Sequence, residues 1–188
     1  MVAAAGSGYG VLSPVRSGLS GEELRRRALR LKLVLSDCDG VLTDTGVYYS
    51  SQGEQLKRFS VRDGMGVERL RLQGIETAII TRENCPCVKK RAEKLQLRYV
   101  FLGVTDKESY LPIILERTRL APDQLAYIGD DVNDLPIIES INETGLTGAP
   151  LDAVDQVLEA VQYRTTAPGG HGAFRDFAEW IINLRDVF

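Results

Sequence analysis

Asp37 and Asp39 stand one residue apart in LKLVLSDCDGVLTD, residues 31–44, a spacing that points two side chains the same way from extended chain. The preceding Leu33-Val34-Leu35 is the short apolar run of a buried parallel strand. Both carboxylates therefore emerge at a strand's carboxyl end, the edge where open α/β sheets bind ligands. Gly40 permits the sharp bend that must follow. Two like charges so close need a cation or a shared proton, and hard oxygen ligands suit Mg²⁺. The pattern points to a Mg²⁺-assisted aspartate nucleophile. The plain alternative is a turn, where Asp and Gly are favoured for backbone reasons alone.

Three later strand ends carry matching chemistry. Ala78-Ile79-Ile80 ends at Thr81, Tyr99 to Leu102 is followed by Lys107, and Ala126-Tyr127-Ile128 leads into Gly129, Asp130, Asp131 and Asp134. Helical patterns lie between them at Gly64–Leu72, Val88–Leu97 and Lys107–Thr118. Alternating strand and helix predict an α/β fold with a parallel sheet and right-handed crossovers. One sheet edge then gathers Asp37, Asp39, Thr81, Lys107, Asp130 and Asp134. That set suits phosphate monoester hydrolysis. Asp37 attacks phosphorus, and Asp39 protonates the leaving alkoxide and later deprotonates water. Thr81 and Lys107 bind phosphoryl oxygens, Asp130 completes the metal site with Asp131 in support, and Asp134 steadies the metal through water or orients Lys107.

DCDGVLTD, IIT, DK and GDDVND, in this order, resemble the four motifs of the haloacid dehalogenase superfamily. The stretch GVYYSSQGEQLKRFSVRDGMG and the later GGHGAFRDF resemble the flap and tail of the 3-deoxy-D-manno-octulosonate 8-phosphate phosphatase family. The similarity runs from Leu31 to Val187. It implies a Rossmann-like sheet flanked by helices, a short β-hairpin flap at about 46–60 and no large cap domain. It also implies a homotetramer in which the tail, about 165–188, reaches toward a neighbouring active site. By the same resemblance Asp37, Asp39 and Asp130 hold Mg²⁺, with Asp39 offering its backbone carbonyl. Arg82, Glu83, Lys94, Asp63 and Arg175 become candidate contacts to a sugar-acid phosphate.

Substrate length turns on one departure. The octulosonate enzymes follow the motif threonine with Gly-Arg, whereas this chain has Thr81-Arg82-Glu83-Asn84, with Lys94 eleven residues after Glu83. Glutamate and lysine there resemble the branch acting on 2-keto-3-deoxynononate 9-phosphate and acylneuraminate 9-phosphate. The expectation is a nine-carbon ester, with octulosonate 8-phosphate as the alternative. A broad phosphomonoesterase and a non-catalytic oligomerisation module are further alternatives. Both Glu83 and Lys94 also fit solvated helix faces.

The remaining features are less specific. The chain has 188 residues, 44% of them apolar, and a formal net charge of −3, which suits one globular domain and gives no basic stripe for nucleic acid. No 18-residue apolar run predicts a membrane span, and the N-terminus lacks a signal-peptide pattern. Residues 1–30 are expected to be an arm and a short helix capped by Ser20, with the catalytic domain at 31–188. Cys38, Cys85 and Cys87 suggest reduced thiols of a cytoplasmic protein rather than a disulfide scaffold. Zinc at Cys85-Pro86-Cys87 lacks its four ligands. His171 is a minor substrate contact at best. Arg175 suits a carboxylate or phosphate, or an ion pair with Asp176 or Glu179. Asp63 is a cap for the helix opening at Gly64, or a pocket-border residue. Lys57 and Arg58 are candidates for steering an anionic substrate.

Overall fold

The computed structural model describes residues 18–186; the expected N-terminal arm, 1–17, and the last two residues lie outside them. In chain order the elements are α1 (Gly21–Arg30), β1 (Leu33–Ser36), β2 (Thr43–Ser50), β3 (Gly53–Phe59), α2 (Val61–Leu72), β4 (Glu76–Ile80), α3 (Pro86–Lys94) and β5 (Tyr99–Phe101). There follow α4 (Leu111–Thr118), β6 (Leu125–Ile128), α5 (Leu135–Asn142), β7 (Leu146–Ala149), α6 (Asp155–Ala160), β8 (Tyr163–Arg164) and α7 (Ala173–Asp186).

Six strands form one sheet in the order β5-β4-β1-β6-β7-β8, and every neighbouring pair is parallel. Strand β1 is central, with Leu33 opposite Glu76 on one side and Leu125 on the other. Its side chains alternate between two cores, as period two requires. Val34 joins Ile79, Ala126, Ile128, Phe174, Phe177 and Trp180 on the face covered by α1, α2, α3 and α7. Leu33 and Leu35 join Ile80, Tyr127, Ile114, Ile138 and Val157 on the face covered by α4, α5 and α6. The α/β prediction is borne out, and a separate antiparallel hairpin of β2 and β3 springs from the end of β1. Among the described residues no helix is long and apolar enough to cross a membrane.

Several boundaries differ from the expected ones. Helix α2 begins at Val61 rather than Gly64, because the Ser60 hydroxyl accepts the N–H groups of Arg62 and Asp63 at 3.1 and 3.3 Å. Ser60, not Asp63, is therefore its cap. Helix α3 starts at Pro86, whose missing N–H costs nothing in a first turn. Helix α4 starts at Leu111, leaving Lys107 in a turn held by Asp106, which accepts the Ser109 N–H at 3.0 Å and hydroxyl at 2.8 Å. Cys38 is fully buried as expected, but Cys85 and Cys87 are joined as a disulfide with Cα atoms 5.4 Å apart. That corrects the expectation of reduced thiols. The single residue between them brings both sulfurs to one side at the start of α3.

Candidate active site

Strand β1 delivers Asp37 with its backbone still in register: the Asp37 N–H donates to the Ile128 carbonyl at 3.0 Å. The side chain is buried, and its Oδ1 accepts the Cys38 N–H at 2.7 Å and lies 3.0 Å from Lys107 Nζ. The chain then turns at Gly40, which has φ of +88° and lies so close to Asp130 that a Cβ there would fall 1.8 Å from its Oδ2. Glycine is required at that point on both counts.

Lys107 sits in a buried cluster. Its Nζ contacts Asp134 Oδ1 at 2.5 Å and the Tyr127 hydroxyl at 3.1 Å. Tyr127 in turn donates to Asp134 Oδ1 at 2.7 Å, while Asp134 Oδ2 accepts the N–H groups of Asp130 and Asp131 at 2.9 and 3.3 Å. Asp134 has thus committed both oxygens to orienting Lys107 and the Asp130 loop. Burial pulls Lys107 down, but the Asp37 and Asp134 carboxylates outweigh it and hold the ammonium above its ordinary range.

Burial pushes Asp37 up to about 7, with Lys107 opposing and Asp134 assisting the rise. Burial and the Asp37 and Asp134 charges push Asp130 up to about 8. Asp130 Oδ1 is buried and has no hydrogen-bond partner. Carboxylate oxygens of Asp37, Asp130 and Asp134 lie within 4.8 Å of one another. Crowded acids with an unpartnered buried oxygen fit a hard divalent cation. With Asp134 fully engaged, Asp37 and Asp130 are the carboxylates that could hold one.

Asp39 takes a different partner. Lys57, from β3, spans both its oxygens at 2.7 Å with a side chain 1% exposed, and Thr43 Oγ1 donates to it at 3.3 Å. Asp37, Asp39, Thr81, Lys107, Asp130, Asp131, Arg82 and Glu83 all line one open cleft of about 220 Å³. Thr45 and Asn133 line it too; neither was singled out in the sequence, although Asn133 lies inside the GDDVND motif. Thr81 is positioned by accepting the Glu83 N–H at 3.1 Å.

Three expected contacts lie elsewhere in the fold. Lys94 borders a separate surface groove with Val61, Met65 and Arg91. Arg175 ion-pairs with Glu179 at 2.7 Å one turn along α7, the alternative its spacing allowed. Asp63 is buried and accepts the N–H groups of Gly172 and Arg175 at 3.2 and 3.0 Å. Gly170 donates to the Val41 carbonyl at 2.9 Å and accepts from Arg58 at 3.0 Å, seating GGHG on the loop that follows β1, and α7 packs in the core. His171 Nδ1 meets the Gly169 carbonyl at 2.8 Å, a contact within the tail.

No protein-family model matches the chain. Over 169 residues it is 35% identical to 3-deoxy-D-manno-octulosonate 8-phosphate phosphatase of Yersinia pestis, an alignment that covers 90% of this chain and 89% of that protein. Among solved structures, it is similar to the Moraxella catarrhalis enzyme of that name in complex with magnesium, phosphate and KDO (TM-score 0.81, 32% identity, 88% of this chain and 93% of that one). It is also similar to the cobalt-bound Haemophilus influenzae enzyme (TM-score 0.80, 34% identity, 85% of this chain and 91% of that one).

Proposed function

Because the chain belongs to the 3-deoxy-D-manno-octulosonate 8-phosphate phosphatase family of the haloacid dehalogenase superfamily, we propose that it is a Mg²⁺-dependent phosphatase of 2-keto-3-deoxy sugar-acid phosphates. The single observation that carries the reading is the buried Asp37–Lys107 contact at 3.0 Å beside the unpartnered Asp130 Oδ1. Such a cluster places a nucleophile, a phosphate-binding cation and carboxylates suited to a divalent metal at one point. Asp37, Asp130 and the Asp39 carbonyl would hold Mg²⁺, whose charge offsets that of the phosphoryl group.

Asp37 Oδ1 is occupied by Cys38 and Lys107, so Oδ2 is the oxygen free to attack phosphorus. As the Asp37–phosphorus bond forms, the bond from phosphorus to the sugar oxygen breaks, and Asp39 gives that oxygen a proton. Asp39 then takes a proton from water as the water oxygen attacks phosphorus and displaces Asp37. Lys107 and Thr81 stay on the equatorial oxygens throughout. One ammonium about 4 Å from a phosphoryl charge contributes roughly 4 kcal/mol at an effective dielectric of 20, before desolvation.

The names of the relatives favour octulosonate 8-phosphate as the substrate. The nine-carbon reading is supported by Glu83 on the cleft wall, whereas Lys94 borders a separate groove. We propose assembly into a homotetramer through the hairpin, supported by Tyr48, Tyr49 and Leu56 being 62%, 72% and 63% exposed there. Phosphate release from octulosonate 8-phosphate, deoxynononate 9-phosphate and neuraminate 9-phosphate tests the reading, with Asp37→Asn as control. Highest kcat/KM on the octulosonate supports it. A nine-carbon preference transfers the substrate to the second reading, and no Mg²⁺-dependent turnover overturns the phosphatase assignment.

A further inference from the structure

Three residues other than glycine have positive φ among the described residues: Thr45 at 62°, Gln96 at 55° and Arg119 at 60°. Gln96 and Arg119 lie just past the ends of α3 and α4, where a left-handed residue ordinarily closes a helix. Thr45 has no helix to close. It lies within β2, and a β-branched residue is a genuine outlier in that region of backbone space. It also lines the cleft that holds Asp37, Asp39 and Lys107.

The surrounding contacts hold that strain in place. Thr43 pairs with Phe59 and Val47 with Lys57, so β2 carries two residues more than β3 between those pairs. Such a bulge re-aims a side chain. Beyond it, Lys57 is bonded to both Asp39 oxygens at 2.7 Å. Before it, Asp44 pairs with Arg58 at 3.0 Å, and Arg58 also donates to the Gly170 carbonyl. Gly170 packs so tightly that a Cβ there would fall 2.4 Å from the Asp44 nitrogen. The chain is therefore pinned on both sides of Thr45, and strain over-determined in this way clusters at ligand sites.

We propose that Thr45 is a specificity residue that accepts a hydrogen bond from a hydroxyl of the sugar-acid chain, an inference that rests on the phosphatase reading. The Thr45 hydroxyl donates to the Asp44 carbonyl at 2.6 Å. Its one proton is thus engaged, and its lone pairs are left to accept. Ionised carboxylate and phosphoryl oxygens also only accept, so neither end of the substrate suits it. A polyol hydroxyl between those ends does. The hairpin then serves the site twice, with Lys57 on the acid–base carboxylate and Thr45 on the leaving group.

The test measures KM and kcat for Thr45→Gly, Thr45→Val and Thr45→Ser in the full chain with Mg²⁺. The substrates are the best of the three sugar-acid esters and p-nitrophenyl phosphate, whose leaving group has no hydroxyl chain. Glycine fits the positive φ while removing the side chain, so it separates the contact from the backbone. Valine keeps the branched shape and removes the acceptor. Both should raise KM for the sugar-acid ester about five-fold, the size of one hydrogen bond lost, with the fall in kcat/KM carried by KM. The change on the aryl ester should be clearly smaller. Serine should restore the KM of the unmodified chain. An unchanged sugar-acid KM in Thr45→Gly overturns the inference, as does an equal loss on both esters, which would make Thr45 structural. Turnover of the aryl ester alone by the unmodified chain also overturns it and leaves a phosphatase of other substrates. No Mg²⁺-dependent turnover of either kind overturns the phosphatase reading and this inference with it.

Discussion

Asp63, in the first turn of α2, caps α7: its two oxygens accept the N–H groups of Gly172 and Arg175, 109 and 112 residues further along the chain. A helix start leaves N–H groups without partners, and GGHG carries no side chain there that could fill the role locally. The acid ties the tail to the helix that follows the flap. Arg91, whose guanidinium donates to the Ser60 carbonyl at 2.7 Å, lies close enough to Asp63 to feel its charge.

Asp63→Ala should therefore act on stability. One buried and one part-buried N–H group lose their acceptor, at roughly 1–3 kcal/mol for the buried one, so thermal unfolding should shift down by several degrees. Activity at low temperature should change little. Normal stability with a raised KM would instead return Asp63 to the substrate pocket.

Asp134→Ala should be the most damaging substitution in the acidic loop. It strips Lys107 and Tyr127 of their shared acceptor, and breaking a buried ion pair costs about 3–5 kcal/mol. Tyr127→Phe removes one hydrogen bond and should cost about 1 kcal/mol. Denaturant titration of both variants checks the order, and equal losses would contradict the network.

Without a divalent metal, stability should decline as pH rises. Asp37 and Asp130 have native values of about 7 and about 8, above the ~3.9 of an unfolded aspartate. The native state then binds more protons than the unfolded one, so this stability is fully present below about pH 4 and lost as pH rises through about 8. Melting in EDTA should show the decline, and Mg²⁺ should reverse it most at the high end. A flat profile in EDTA would refute the crowded-acid account.

Lys57→Ala should lower kcat/KM by about ten-fold or more, since a charge-assisted bond to Asp39 contributes roughly 1.5–3 kcal/mol. The same change in Arg58, whose partner Asp44 is at 3.0 Å on a half-exposed edge, should have a much smaller effect. Similar kinetics for the two variants would remove Lys57 from the site.

The gathering of Asp37, Asp39, Thr81, Lys107 and Asp130 in one cleft was legible in the sequence because its signals are local. An apolar run ending in Asp, Thr or Gly-Asp declares both a buried strand and the polar group at its end, and three such runs with a fourth leading to Lys107, in alternation with helices, leave one edge where they meet. Strands β7 and β8 were not legible: β7 is four residues containing a glycine and β8 is two residues, too short for periodicity to mark. The tertiary structure alone decided the partners of residues whose pattern fits several roles. Lys57 faces Asp39 only because the hairpin folds back over the end of β1. Asp63 meets a helix start more than a hundred residues away, Arg175 turns to Glu179, and Lys94 faces another groove. A charged side chain specifies its chemistry by type, but its partner is chosen by the packing of apolar faces that lie elsewhere in the chain.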